Sequence, residues 1–176
     1  MKYLILIMAL LLTTCTTDIS VPVSKIVYNM IASTRTGNTA RKTDMVLKYS
    51  AKYKLDPFVF TRLGIAESSF VHTRENWNQS CFGIFQISTN YWSHLPYIVV
   101  SNKYAKYLHR HDGTNLVKVL KFIEANTHAG AIVLRNYLDA YDGDYRKSLC
   151  VYGGFRGKYG HRIKQKEKYI NKIMGE

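Results

Sequence analysis

The chain has 176 residues, 47% of them hydrophobic, enough to bury one good core, and nothing in its composition suggests a second domain. Lysine and arginine number 25 against 12 acidic residues, a formal charge of +13, which calls for an anionic partner: nucleic acid, a membrane surface or a cell-wall polymer. No glycine-rich phosphate loop, zinc-ligand spacing or nucleic-acid motif accompanies that charge, so nucleic acid is the least favoured of the three and no metal or cofactor is called for.

At the N-terminus, Lys2 precedes an apolar run from Tyr3 to Leu12. The run is too short to span a bilayer comfortably and has the length of a signal-peptide core, so it predicts export to the periplasm or cell envelope. Leu12-Thr13-Thr14-Cys15 resembles a bacterial lipobox, with Thr where Gly, Ala or Ser is expected before the cysteine. Lipid anchoring at Cys15, ordinary cleavage and an uncleaved short anchor all stay open. Residues 1–15 are read as the signal, 16–42 as a Thr- and Ser-rich linker with one short helix near Lys25 to Ile31, and 43–176 as the folded domain. If Cys15 is removed or lipidated, Cys81 and Cys150 are left as an even pair, as a disulfide or as two buried thiols.

The first helix of the domain is predicted from Thr43 to Lys54, with Met45, Tyr49 and Tyr53 at four-residue intervals along one face. Asp56 then serves as an N-cap with Pro57 in the first turn, and Phe58, Val59, Phe60, Leu63, Ile65 and Ala66 make a buried helix to Phe70. Glu67 lies in its last turn. A carboxylate there meets the negative end of the helix dipole and poor solvation, and both push its pKa upward. A carboxyl group kept protonated near neutral pH is what a general acid needs; the alternative is a glutamate on a solvated helix end.

Residues 71–91 read as irregular and polar, becoming extended around Ile84 to Ile87, the one β contribution expected. The segment from Tyr91 to His111 is rich in Tyr, Lys and His, with His109 and His111 read as surface loop residues. A helix follows from Asn115 to Ala125, striped by Leu116, Val117, Val119, Leu120 and Ile123. Two more run from Ala129 to Tyr141 and from Asp144 to Tyr152, separated by Asp142-Gly143. Arg156, Lys158, Arg162, Lys164, Lys166, Lys168 and Lys172, interleaved with Ile163, Ile170 and Ile173, predict an amphipathic C-terminal helix with a basic outer face.

Glu67-Ser68 and Gly83-Ile84-Phe85-Gln86 are followed by Asn126-Thr127-His128-Ala129-Gly130, Asn136-Tyr137-Leu138, Tyr141-Asp142-Gly143-Asp144 and Ser148-Leu149-Cys150-Val151-Tyr152. In this order and spacing, from about Met45 to Phe155, the chain resembles the soluble lytic transglycosylases of the lysozyme-like superfamily. Two departures matter. Gly153 stands where that family has Asn after the Tyr. Cys81 begins a stretch, Cys81-Phe82-Gly83-Ile84-Phe85-Gln86-Ile87-Ser88, that is also similar to Asp-Tyr-Gly-Ile-Leu-Gln-Ile-Asn of chicken-type lysozymes, so it replaces their second catalytic Asp.

The resemblance implies an α+β, mainly α-helical, lysozyme-like fold with a small β-element beside the catalytic helix. It implies cleavage of peptidoglycan glycan strands between N-acetylmuramic acid and N-acetylglucosamine. Ordinary glycosidases need two carboxylates, and here Glu75 and Asp112 lie away from the aligned position, so a single-carboxylate scheme fits better. Glu67 would act as acid and then as base, leaving a 1,6-anhydro end. Gln86 would hold a sugar through its amide, Ser68 and Ser80 through their hydroxyls, and Tyr152 would bond Glu67 or the substrate. Phe85, with Phe82, Tyr91 and Trp92, would offer aromatic faces. Each has a plainer alternative: Gln86, Ser68 and Ser80 serving the backbone, Tyr152 and the aromatics serving the core. A true hydrolase and a non-catalytic wall-binding protein remain rival functions.

Overall fold

The computed structural model describes residues 21–92, 114–155 and 160–176. It is mainly helical with one small antiparallel sheet, as expected. The helices are α1 (Val23–Ala32), α2 (Thr39–Tyr53), α3 (Pro57–Ser68), α4 (Thr114–Leu120), α5 (Ile123–Ala140), α6 (Tyr145–Tyr152) and α7 (Gly160–Met174); the strands are β1 (Glu75–Asn76), β2 (Cys81–Phe82) and β3 (Ile87–Ser88). The readings on residues 1–15, on Cys15, on His109, His111 and Asp112, and on Arg156 and Lys158 lie outside the described residues.

The segment read as a linker contributes to the core. Val27 and Ile31, one helical turn apart on α1, are fully buried, and α1 packs on α2 and α3, so the packed unit begins well before Thr43. The next helix also starts four residues earlier than expected, after Asn38 in the left-handed region (φ 53°). Its Lys42 is buried with Nζ on the Thr36 hydroxyl (2.7 Å) and carbonyl (3.2 Å), which ties the α1–α2 connection down.

Helix α3 begins as the sequence requires: the Asp56 carboxylate accepts from the Phe58 and Val59 amides at 2.7 and 3.1 Å. It ends sooner than Phe70. Ser69 and Phe70 both adopt positive φ (54° and 63°), and the reversal drives the Phe70 ring back over Gly64, where a β-carbon would come within 2.6 Å of it. Only glycine leaves that space.

The sheet is a meander in which β2 pairs with both neighbours, Glu75 opposite Phe82 and Cys81 opposite Ser88. The stretch around Ile84 to Ile87, expected to be extended, is instead mostly turn. Gly83 (φ 78°) and Gln86 (φ 45°) fold it so that Ile84 and Phe85 plug the core, with the Phe85 ring stacked on Phe60 at 4.3 Å. Gly130 of α5 lies directly behind Phe85, whose ring carbon would come within 2.5 Å of a β-carbon added at Gly130.

Residues 123–125 belong to α5 rather than to the preceding helix, and α5 starts six residues before the expected Ala129, because the chain breaks at Phe122 (ψ 130°). The buried Asn126 explains the break. Its amide donates to the Phe82 and Leu120 carbonyls (2.8 and 2.9 Å) and its oxygen accepts from the Phe85 amide (2.8 Å), joining the end of α4 to the turn. Three buried backbone groups depend on one side chain. Asn126→Ala should therefore destabilise the protein by on the order of 3 kcal/mol or more, read as a lower urea midpoint; a midpoint within error of the wild type would refute this role.

Helix α5 packs against α2 and α6, and α7 closes the other side against α3 and α6. Ile170 and Ile173 of α7 are buried as expected, whereas Ile163 is exposed. Lys164, Lys168 and Lys172 keep the outer face basic.

Candidate functional site

Glu67 sits in the last turn of α3, half-buried, and its Oε1 accepts a hydrogen bond from the Tyr169 hydroxyl of α7. Burial pushes its carboxyl from an ordinary 4.5 up to about 7, and the Tyr169 hydrogen bond, which favours the carboxylate, restrains the rise. Glu75, Glu124 and Asp144 move the other way: the first two are held down chiefly by Lys121 and Lys48, and Asp144 by the Lys147 amide that it caps. The environment thus separates Glu67 from the other shifted carboxyls, the pattern of a group set apart for proton transfer.

Tyrosines frame it. The Tyr152 hydroxyl donates to the Phe85 carbonyl at 2.9 Å, so the phenol that reaches Glu67 is Tyr169, and Tyr152 instead anchors the turn. Both phenols are held well above their usual range, first by burial and then by the nearby Glu67 charge. That charge also helps raise the Cys81 thiol, after burial. Gly153 makes the arrangement possible: a β-carbon there would come within 2.8 Å of both the Tyr169 and Phe155 rings.

The remaining residues expected to touch a ligand build the turn beneath the site. Ser68 is buried and donates to the Ile84 carbonyl at 2.8 Å. Phe85 is fully buried, so its ring belongs to the core and offers no open face. The Gln86 amide nitrogen donates to the Gly83 carbonyl at 2.9 Å, the backbone-capping alternative. Ser80 sits in the left-handed region (φ 52°) at the β1–β2 turn, with its carbonyl accepting from the Thr89 amide at 2.9 Å. Glu67, Ser68, Phe85, Gln86 and Tyr152 do come together, but four of them hold the 83–86 turn against the end of α3. Cys81 and Cys150 are free thiols, donating to the Gln79 and Phe155 carbonyls. Among the described residues no group of three His, Cys, Asp or Glu could hold a metal, and no helix is long and apolar enough to cross a membrane.

Tyr169 is the residue that sequence reading missed. It directly precedes Ile170 and lies four before Ile173, so the spacing already puts it beside the inward stripe of α7. A stripe counted only in isoleucines passes over it.

A half-buried carboxyl poised near neutrality can give a proton to a ligand oxygen and take one back, and a phenol donor stabilises the intervening carboxylate. Tyr169→Phe removes that donor, so the Glu67 carboxyl should titrate further above about 7, seen by carbon NMR of labelled glutamate side chains. An unmoved or lowered titration would show that the contact does not act on Glu67. Comparison of the chain with protein-family models, with curated proteins and with solved structures finds no significant match.

Proposed function

We propose that the chain is a peptidoglycan lytic transglycosylase with a lysozyme-like fold, exported to the periplasm or cell envelope. The observation that carries this reading is the Glu67 carboxyl, poised at about 7 by burial at the end of α3 and bonded to Tyr169. In the proposed reaction Glu67 gives its proton to the glycosidic oxygen as the bond from the muramoyl C1 to that oxygen breaks. The substrate's own N-acetyl group stabilises the positive charge at C1. The muramoyl C6 hydroxyl then attacks C1, and its proton passes to the Glu67 carboxylate, which closes the 1,6-anhydro ring and restores the acid. One group serves both steps, which suits a pKa near the working pH.

Cys81 favours this scheme over hydrolysis. It stands at the position where the chicken-type lysozyme pattern carries a second carboxylate, and its thiol is held protonated by burial and by Glu67. The exposed lysines of α7 suit an anionic wall polymer.

The test is mass analysis of the muropeptides released from purified sacculi. Anhydro ends, one water lighter than hydrolysis products, are expected. Hydrated reducing ends would replace the reading with a muramidase, and no release would replace it with a wall-binding role.

A further inference from the structure

Trp77 is 63% exposed at the tip of the β1–β2 hairpin, yet it is held firmly. Its ring stands edge-on to the buried Phe82, with centroids 4.9 Å apart and planes at 76°. Its indole N–H donates to the Glu75 carboxylate at 2.7 Å, and Glu75 is in turn paired with Lys121. An exposed loop tryptophan is ordinarily free to turn and costly to leave in water. Here Phe82 and Glu75 fix its plane and neither covers it.

The pinning also decides what is presented. With the N–H consumed by Glu75, the exposed part of the ring is apolar. Amides border it. Asn76 donates to Gln79 at 3.0 Å, which fixes both side chains and leaves the Asn76 carbonyl and the Gln79 amino group for a ligand, while Asn78 is exposed beside them. The charge of Glu75 is matched by Lys121. The hairpin from Glu75 to Phe82 itself carries no lysine or arginine, although the exposed Arg74 precedes it, whereas a membrane or nucleic-acid contact in a chain of this charge would be built on such residues. A flat apolar face with an amide rim fits a pyranose ring, which has an apolar face of C–H groups and an edge of hydroxyls and acetamido groups.

We propose that Trp77 is a stacking platform for an N-acetylated pyranose, a contact additional to Glu67 on the hairpin that carries Cys81. The choice of sugar rests on the glycan-cleaving function proposed above; the platform itself rests on the hairpin. It would lengthen the stretch of glycan strand the protein grips, so long strands gain affinity that short fragments do not.

The test is titration with the N-acetylglucosamine hexamer, in a Glu67→Gln background so that the probe survives. Affinity and the two indole N–H signals of the chain's two tryptophans are followed by NMR. The Trp77 signal should move, Trp77→Ala should weaken binding about tenfold, and Trp77→Phe, which keeps a stacking ring, should weaken it no more than about threefold. Thermal melts of both variants check folding. Equal affinity in Trp77→Ala overturns the platform, as does a Trp77 signal that moves only with phosphatidylglycerol vesicles. Sugar binding through Trp77 beside sacculi that release nothing would uphold the platform and reject the transglycosylase. Anhydro products beside an unaffected Trp77→Ala would do the reverse.

Discussion

For the proposed transglycosylase reaction, Glu67→Gln is expected to lower the release of muropeptides from sacculi by on the order of 10³-fold, the range removed with a general acid. The amide keeps the size of the side chain, and its oxygen can still accept from the Tyr169 hydroxyl, so the packing of α3 against α7 is retained. What disappears is the proton. The uncatalysed departure of a sugar alkoxide is slow, and among the described residues Glu75 cannot substitute, because it is committed to Lys121 and Trp77 and is held low by them. The same substitution also removes the base that would take the C6 proton, so the anhydro ring would not close. The variant should still bind sacculi, measured by co-sedimentation. A variant that cleaves at the wild-type rate would remove Glu67 from the chemistry altogether.

The second large effect concerns stability and holds whether or not the protein cleaves glycans. In the folded state Glu67 keeps its proton up to about 7, whereas in the unfolded chain it releases it near 4.5. Between those values the native state binds more protons than the unfolded state, so stability falls as pH rises through the window. The loss is complete above the folded pKa and absent below the unfolded one. From pH 4 to pH 8 the ionisation of Glu67 should cost about 3 kcal/mol. The neutral amide of the Glu67→Gln variant carries no such penalty. The stability of that variant relative to wild type should therefore rise by roughly that amount over the same range, read from urea unfolding at both pH values. A difference that stays constant with pH would mean that Glu67 titrates normally in the folded protein.

Local chemistry made much of the fold legible. Asp56-Pro57 and Asp144 state where α3 and α6 begin, and the structure shows both carboxylates capping backbone amides. The apolar run from Phe58 to Ala66 announces a buried helix with Glu67 at its foot, and the polar stretch after it holds a single small β-element. Where the sequence reading slipped, a long-range partner had won over local pattern. The stripe through Leu116 and Ile123 reads as one helix, but Asn126 needs the Leu120 carbonyl as a partner, and the chain breaks at Phe122 to supply it. Val27 and Ile31 look like linker residues until α2 and α3 are there to bury them.

The candidate site divides the same way. The sequence by itself determined that a glutamate ends an apolar helix and that a Gly-x-x-Gln segment follows it, because helix caps, apolar periodicity and glycine turns act over a few residues. Only the tertiary structure decided what those residues do. The Glu67 carboxyl is raised by the burial that packing imposes, and its hydrogen-bond partner comes from Tyr169, 102 residues further along the chain. Phe85, Gln86 and Ser68 turn inward because Phe60, Gly83 and Ile84 receive them there. Desolvation and hydrogen bonding depend on neighbours in space, and a linear pattern holds no record of which distant residues will become neighbours.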